Sequence, residues 1–196
     1  MTGLWLIFYD LLPEGEAEYL TWFHDVHIPE KLARPGYTWA AHYVAEGGGD
    51  QGRNRYAALF GGDDSSVFYN PSPEQIKPNQ PPETKAMMAV RANPEMYVLT
   101  REWSRDQTGL KAPEATAITA KRLEVTSFDV EPSNQALPSS IIQELWPSLR
   151  EHAGFLALHK YLSSTGSPSH LTLVEGEAGI AKQSEAKFVG ERLWPV

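Results

Sequence analysis

Cysteine is absent from this chain of 196 residues. Disulfide bonds, thiolate zinc sites and cysteine nucleophiles are therefore excluded, and the absence of disulfides fits a cytoplasmic protein. Long apolar runs are absent too, because no stretch approaches the roughly 18 residues that a membrane-spanning helix needs. The first residues lack the basic start of a signal peptide and reach Asp10 too early for one. We therefore expect a cytoplasmic protein whose first element is a strand.

Positive charge is scarce. The chain has 17 Lys and Arg residues against 25 Asp and Glu residues, which gives a formal net charge of −8 and a pI near 5.2. A nucleic-acid-binding surface needs a local cluster of basic side chains, and the sequence contains none. The composition therefore predicts a small molecule or another protein as the partner, and neither nucleic acid nor a membrane.

The common phosphate-binding and hydrolase motifs are also missing. No Gly-x-Gly-x-x-Gly segment opens a helix, no Walker-type Gly-Lys-Ser/Thr is present, and no Gly-x-Ser-x-Gly nucleophile elbow occurs. The glycine run at residues 47–49 lies between two predicted strands, so it is interpreted as a hairpin loop.

Hydrophobic periodicity and turn residues predict the order β-α-β-β-α-β twice. The first set is expected in residues 1–106, with strands at 4–11, 37–46, 55–60 and 96–105 and helices at 16–33 and 83–92. A linker follows at residues 107–115. The second set is expected in residues 116–196, with strands at 117–126, 155–163, 170–175 and 187–194 and helices at 139–152 and 181–186.

Identical residues recur at two fixed offsets between these sets. An offset of 118 relates Pro29, Gly36 and Tyr43 to Pro147, Gly154 and Tyr161, and an offset of 91 relates Val98, Arg101 and Trp103 to Val189, Arg192 and Trp194. An internal duplication explains both the offsets and the element order. We therefore predict an α+β fold of two tandem ferredoxin-like βαββαβ repeats, whose sheets cover each other as an intramolecular pseudo-dimeric α+β barrel.

A proline-rich segment at residues 65–82 has no counterpart in the second set. Its five prolines exclude a continuous helix or a central strand. A loop of this length is either functional or disordered. Because Val67, Phe68, Tyr69 and Ile76 give the segment apolar surface to bury, we favour an ordered flap over a disordered loop.

Two histidines mark the first predicted helix. On a helical wheel, His27 lies at the edge of the apolar face that must pack on the sheet, and His24 lies further toward solvent. Pro29 is expected to kink the helix just after His27. The positions 118 residues later hold Ile142 and Leu145. An apolar residue therefore suffices for packing there, which favours a single functional site in the first half.

Two other interpretations of these histidines stay open. His27 is either a working acid–base group or a buried core histidine bonded to a backbone carbonyl. His24, His27 and Glu30 follow an i, i+3, i+6 spacing, but two histidines without a clear third ligand predict a metal site only weakly.

Neighbouring residues complete a candidate pocket. Trp5 lies on one face of the first strand, and Trp39 and Tyr43 share a face of the second strand. Tyr43 recurs as Tyr161, which also fits a structural packing role. Arg91 and Lys85 on the second helix fit contacts with an anionic substrate and fit a solvated helix face equally well.

The segments Trp-Phe-His-Asp-Val-His-Ile-Pro at residues 22–29 and Leu-Ala-Arg-Pro-Gly-Tyr at residues 32–37 resemble the EthD-like branch of the dimeric α+β-barrel superfamily. Members of that branch carry a histidine, often in His-x-Pro, on the first helix, and a Pro-Gly before the second strand. The corresponding residue is His27. The resemblance covers residues 4–62, and the second half agrees only in element order.

This resemblance implies a ligand pocket between the sheet and the helices and a reaction without a cofactor. Activities of the superfamily include polyketide cyclisation and dehydration, lactone isomerisation and quinone-forming monooxygenation. Other branches bind or degrade haem but place their ligand differently.

The leading hypothesis is a cofactor-free enzyme that acts on an aromatic or polyketide-like carbonyl compound, as a monomer or a homodimer. His27 would be the general acid or base, His24 would tune or relay, and Tyr43 would hydrogen-bond the developing enolate. An apolar pocket would be lined by Trp5, Trp22, Phe23 and Trp39. The competing hypothesis is a non-catalytic binding or structural protein. A cavity beside His27 favours the first hypothesis, and dense packing favours the second.

Overall fold

A computed structural model describes residues 2–110, 117–129, 140–177 and 185–195. Within these ranges the strands are β1 Gly3–Leu11, β2 Tyr37–Ala45, β3 Asn54–Gly62, β4 Ala92–Asp106, β5 Arg122–Phe128, β6 Phe155–Ser163, β7 His170–Gly176 and β8 Phe188–Trp194. The α-helices are α1 Glu16–Trp22, α2 Ile28–Leu32, α3 Pro73–Ile76, α4 Pro82–Ala89 and α5 Trp146–Arg150. None of the helices in the described ranges is long and apolar enough to cross a membrane.

The eight strands close into one antiparallel barrel in the order β1-β3-β2-β8-β5-β7-β6-β4. Each half of the chain contributes four adjacent strands, and the halves join where β2 pairs with β8 and β4 pairs with β6. The predicted α+β fold with a closed barrel is therefore confirmed. The interpretation of the halves as tandem ferredoxin-like repeats stays a prediction.

Alternation along the strands divides the apolar residues into an inner and an outer core. On β1, Leu4, Leu6 and Phe8 point into the barrel, where they join apolar side chains from both halves of the chain. Trp5 and Ile7 point outward, where they pack with the first helical layer. Every residue of β1 is buried, because both faces of the strand are covered.

The first helical stretch differs from the predicted continuous helix. A five-residue π-helical turn, Phe23–His27, separates α1 from α2, and the backbone N–H of Ile28 donates to the carbonyl of Phe23. A second π-helical turn, Ile141–Leu145, precedes α5 in the same way. In both places a single residue separates the π turn from a proline. The proline has no N–H, so one donor is missing from the helical hydrogen-bond pattern. A wider turn accommodates this loss.

Two predicted boundaries were wrong. The strand expected at residues 117–126 begins at Arg122, because the carbonyls of Ile118 and Ala120 accept hydrogen bonds from the side chains of Arg192 and Tyr43. The helix expected at residues 83–92 ends at Ala89, so Arg91 lies in the turn before β4. The helix expected at residues 181–186 lies largely outside the described residues, and residues 185–186 are not helical. Most of the predicted linker also lies outside them.

We expect Gly36→Ala to destabilise the protein more than Gly154→Ala. Both glycines have a φ near +85° and follow a helix, so an L-residue costs roughly 1–2 kcal/mol at either position. At Gly36 a new Cβ would lie 2.6 Å from the Val67 side chain, whereas at Gly154 the nearest atom is at 3.5 Å. The steric conflict adds about 1–3 kcal/mol at Gly36 alone. Urea unfolding of both variants measures the difference.

Truncation of Val67 to Ala in the Gly36→Ala background should restore part of the lost stability. If Gly36→Ala and Gly154→Ala lower the free energy of unfolding equally, the contact with Val67 of the flap adds nothing to the cost of placing alanine at a positive φ.

Candidate functional site

A cavity of about 790 Å³ lies on the outer face of the barrel, in the first half of the chain. Its floor is formed by Trp5 and Ile7 of β1. The helical stretch contributes His27 and Lys31, and the remaining walls come from residues 74–80, from α4 and from the start of β4. Cavities of roughly 300–1,000 Å³ are typical of small-molecule sites. The cavity therefore provides the space beside His27 that the catalytic hypothesis requires.

The flap, residues 65–82, forms one wall of this cavity. It consists of a 3₁₀ turn, Ser65–Phe68, followed by α3 and a second 3₁₀ turn, Lys77–Asn79. Phe68 is buried against Trp5 and Tyr37, with ring centroids 6.2 Å and 5.2 Å apart. The aromatic contacts anchor the start of the flap, and the residues that follow reach the cavity. The flap is ordered, as the sequence favoured.

His27 is only 5% exposed. Its ring centroid lies 4.7 Å from that of Trp22 and 5.5 Å from that of Phe23. Burial, followed by the positive charges of Lys31 and Arg91, lowers the pKa of His27 to about 2. The imidazole is therefore neutral near pH 7. Its Nδ1 atom is buried without a hydrogen-bond partner in the described part of the chain, so the structure does not pair this atom with a backbone carbonyl.

Lys31 is a site residue that the sequence analysis missed. It lies one helical turn after His27, it is 5% exposed, and its Nζ lies 5.0 Å from the centroid of the Trp5 ring. Burial, followed by the charges of Arg34 and Arg91, lowers the pKa of Lys31 to about 7. Its i+4 spacing from His27 placed it on the same helical face. That spacing was the available signal, but a lysine on a surface helix is ordinarily solvated.

Arg91 reaches the cavity from the turn between α4 and β4. Its guanidinium carbon lies 4.2 Å from the centroid of the Tyr9 ring and 5.3 Å from that of Phe23. Nε donates to the Tyr19 hydroxyl, and Nη2 is buried without a partner in the described ranges. Lys85 also lines the cavity, from α4. For Arg91 the structure therefore favours contact with a ligand, whereas Lys85 is exposed and its Nζ donates to the carbonyl of Pro78 at 3.1 Å.

His24 belongs to a different network. Its Nε2 lies 2.8 Å from Nδ1 of His42, and Nε2 of His42 lies 2.8 Å from the Tyr9 hydroxyl. The expected relay from His24 to His27 is not formed. His42 is fully buried, and burial, followed by the nearby charges of His24 and Arg91, lowers its pKa well below the ordinary value. The sequence alone predicts no role for His42.

Tyr43 and Trp39 do not reach the cavity. Both point into the barrel, where the Tyr43 hydroxyl donates to the carbonyl of Ala120 at 2.8 Å. The placement of Tyr43 beside His27 was therefore wrong, because residues 39, 41 and 43 share the inner face of β2. The side chain of Trp39 packs against Gly61, where a Cβ would lie 2.0 Å from the indole nitrogen.

The other predicted pocket residues divide between the cavity and the core behind it. Trp5 lines the cavity directly. Trp22 and Phe23 are buried against the His27 ring and hold it in place, without forming the cavity wall in the described residues. Within the same residues no group of three or more His, Asp or Glu side chains is arranged to hold a metal ion.

The sequence matches no protein-family model and no curated protein. Among solved structures, the chain is similar to an anthrone oxidase-like protein, with a TM-score of 0.58 and 12% identity over 89% of this chain and 72% of the other. It is also similar to a proposed monooxygenase of Lactobacillus acidophilus, with a TM-score of 0.56 and 10% identity over 98% and 94% of the two chains.

A third similar structure is a chlorite dismutase from Candidatus Nitrospira defluvii in complex with imidazole, with a TM-score of 0.52 and 9% identity over 98% and 91% of the two chains. The chain therefore shares its closed α+β barrel fold with these structures. At these identities the similarity concerns the fold alone, and the EthD-like branch stays a prediction.

We expect the buried Lys31 to make stability depend on pH. Between about pH 7 and pH 10 the unfolded chain binds a proton at Lys31 that the folded chain does not, so the free energy of unfolding rises with pH. The slope for one proton is at most about 1.4 kcal/mol per pH unit. Urea unfolding of the wild type and of Lys31→Met over this range measures it.

All other titrating groups are shared by the two proteins, so the difference between their unfolding free energies isolates Lys31. This difference should change from about pH 7 upward and be constant below it. If the unfolding free energies of the wild type and Lys31→Met change with pH in parallel over the whole range, Lys31 keeps an ordinary pKa.

Proposed function

We propose that the protein is a small-molecule enzyme that acts on an aromatic or polyketide-like carbonyl compound, with His27 as the group that accepts and returns a proton. The observation that carries this proposal is a neutral imidazole with an unpaired, buried Nδ1 at the wall of a largely apolar cavity. The hydrogen-bonding capacity of Nδ1 is therefore not used within the described residues, while the His27 side chain lines the cavity. The names of the structurally similar anthrone oxidase-like protein and monooxygenase agree with such a substrate.

The proposed step is removal of a proton next to a carbonyl. His27 takes the proton from a substrate carbon, the electron pair of the C–H bond moves toward the carbonyl oxygen, and an enolate forms. Lys31 and Arg91 stabilise that negative charge in surroundings of low dielectric. Cyclisation and isomerisation then end with return of the proton from the imidazolium to the product, whereas in dehydration the leaving hydroxide takes that proton and departs as water. A positioned general base typically contributes about 10²–10⁴-fold.

The low pKa of His27 describes the protein without a ligand. Two of its causes are the positive charges of Lys31 and Arg91. An enolate between these groups neutralises their effect and adds an attractive charge, so the pKa of the imidazole rises while the reaction proceeds. The base therefore becomes stronger only when the substrate loses its proton, which favours the transition state over the bound substrate.

We also propose that the chain is a tandem duplication with the domain bounds 1–106, 107–115 and 116–196, and that it belongs to the EthD-like branch. Three observations support the duplication. The π turns Phe23–His27 and Ile141–Leu145 are 118 residues apart, as are β2 and β6. Gly36 and Gly154 share a positive φ, and the strands of both halves follow the same spatial order. The His27-x-Pro29 pattern on the cavity wall supports the branch.

A non-catalytic binding protein is the second candidate. One observation favours it: an imidazole whose pKa is about 2 is a weak base until a bound charge raises that value. In that case the same cavity holds its ligand without turning it over.

We expect Gln in place of His27 to abolish proton transfer. Hydrogen–deuterium exchange next to a carbonyl, followed by NMR in D₂O, detects the proposed step for any aromatic ketone that fits the cavity, with anthrone and 2-tetralone as first probes. The His27→Gln protein should exchange about 10²–10⁴-fold more slowly than the wild type. Its unfolding transition should stay cooperative, because the amide fills the space of the ring.

His152→Gln is the matched control, because His152 is exposed in the turn after α5. Its exchange rate should equal that of the wild type. Undiminished exchange in His27→Gln would remove His27 from the mechanism. Binding of the ketones without protein-dependent exchange would instead favour the non-catalytic candidate.

A further inference from the structure

The cationic groups at the cavity lack the partners that such groups ordinarily have. Lys31 is almost completely buried, and it forms no ion pair with a carboxylate in the described residues. Nη2 of Arg91 is likewise buried and unpaired there. A buried positive charge costs several kcal/mol unless it is paired and hydrogen-bonded. The cost of burial is visible at Lys31, whose pKa falls to about 7.

Other buried cations of the same protein are paired. Arg122 donates to the carboxylate of Glu46 at 2.7 Å, and Lys160 forms an ion pair with Glu102. Their exposed fractions match that of Lys31, at 5% each. The chain therefore supplies carboxylates to buried cations elsewhere but not to Lys31, which singles out the cavity as the place where an external anion completes the pairing.

The carboxylates near the cavity do not fill this role. Glu74 is the one acidic residue among the described lining residues, and it is exposed on α3. Glu30 raises the pKa of Lys31, but burial and the charges of Arg34 and Arg91 outweigh it. Lys77 and Lys85 add further positive charge at the rim. The potential inside the cavity is therefore positive in a protein whose net charge is −8.

The rest of the cavity suits a flat apolar body. Trp5 and Ile7 form its floor, and Met88 and Met96 supply adaptable apolar surface at its sides. The Nζ atom of Lys31 lies over the ring of Trp5. A ring system that lies against the cavity floor therefore brings its own substituents close to the ammonium group.

We propose that the cavity selects aromatic compounds that carry one negative charge, as a carboxylate or an ionised phenol, and that Lys31 and Arg91 bind that charge. This inference rests on the proposed function only in using the same cavity, since the anion binds whether or not His27 transfers a proton. In this proposal, Lys31 and Arg91 determine the selectivity of the cavity between charged and neutral substrates of the same shape.

The test compares 1-naphthoate with 1-naphthamide, which share one ring system and differ in charge. Binding is followed by calorimetry and by tryptophan fluorescence, because Trp5 lies at the cavity floor. The wild type should bind naphthoate at least about tenfold more tightly than naphthamide, since hydrogen bonds to charged groups are worth about 1.5–3 kcal/mol. In Lys31→Met and Arg91→Met this preference should fall to about twofold or less.

Two further variants make the outcome unambiguous. Lys121→Met also removes one positive charge, but Lys121 is 78% exposed near Glu177, away from the cavity, so it should keep the wild-type preference. Arg91→Lys keeps the charge but loses the planar fork and the bond to Tyr19, so it should keep part of the preference. This variant keeps the test decisive if Arg91→Met does not fold.

Equal affinity of the wild type for both probes, no binding of either probe, or an unchanged preference in Lys31→Met would each overturn the inference. Its failure differs from failure of the proposed function. His27-dependent proton exchange without an anion preference would leave the catalytic proposal standing alone. If the wild type shows no proton exchange and His27→Gln still prefers the anionic probe, only the recognition of the anion is supported.

Discussion

Closure of the barrel within one chain decides where a ligand can bind. The pairings β2–β8 and β4–β6 join the two groups of four strands, and the inner faces of all strands are then filled by a shared core. The described cavity accordingly lies on an outer face, under the helices. Consequently, the face of a strand on which a residue lies determines whether its side chain can contact a ligand in this cavity. Trp5 and Ile7 point outward into the cavity, whereas Tyr43 points inward and cannot reach it.

The division of each strand into an inner and an outer face also explains which features could be predicted from the sequence. Periodicity located every described strand and gave β6 with its correct bounds, because alternating burial leaves a clear pattern. It could not say which face of β2 is inside, since Trp39 and Tyr43 on one face and His42 on the other both suit a half-buried strand. The fully buried His42 turned out to face the helices, where it bonds to His24 and Tyr9. That choice depends on barrel closure, which is a property of all eight strands together.

The charged residues of the site were harder to predict, because their role depends on burial. Lys31 belongs to a residue type that is almost always solvated, and only the flap and α4 enclose it. Arg91 was expected on an exposed helix face, but α4 ends at Ala89 and the following turn directs the guanidinium toward Tyr9 and Tyr19. His27 was easier to find, since an imidazole among aromatics has few structural reasons to be there. Sites that sacrifice stability to keep unpaired charges in apolar surroundings follow a common pattern in enzymes.

The second half of the chain shows which features belong to the scaffold. Its π turn, Ile141–Leu145, has the same length and the same following proline as the turn that carries His27. The π turn is therefore a response to the proline and is not specific to catalysis. At the position of His27 stands Leu145, which packs into a core with Ile141 and Leu149. The described cavity lies where the flap and α4 cover the outer face of the first half. The proposed chemistry therefore depends on what this frame carries in the first half: the enclosing flap, the imidazole of His27, and the side chains of Lys31 and Arg91.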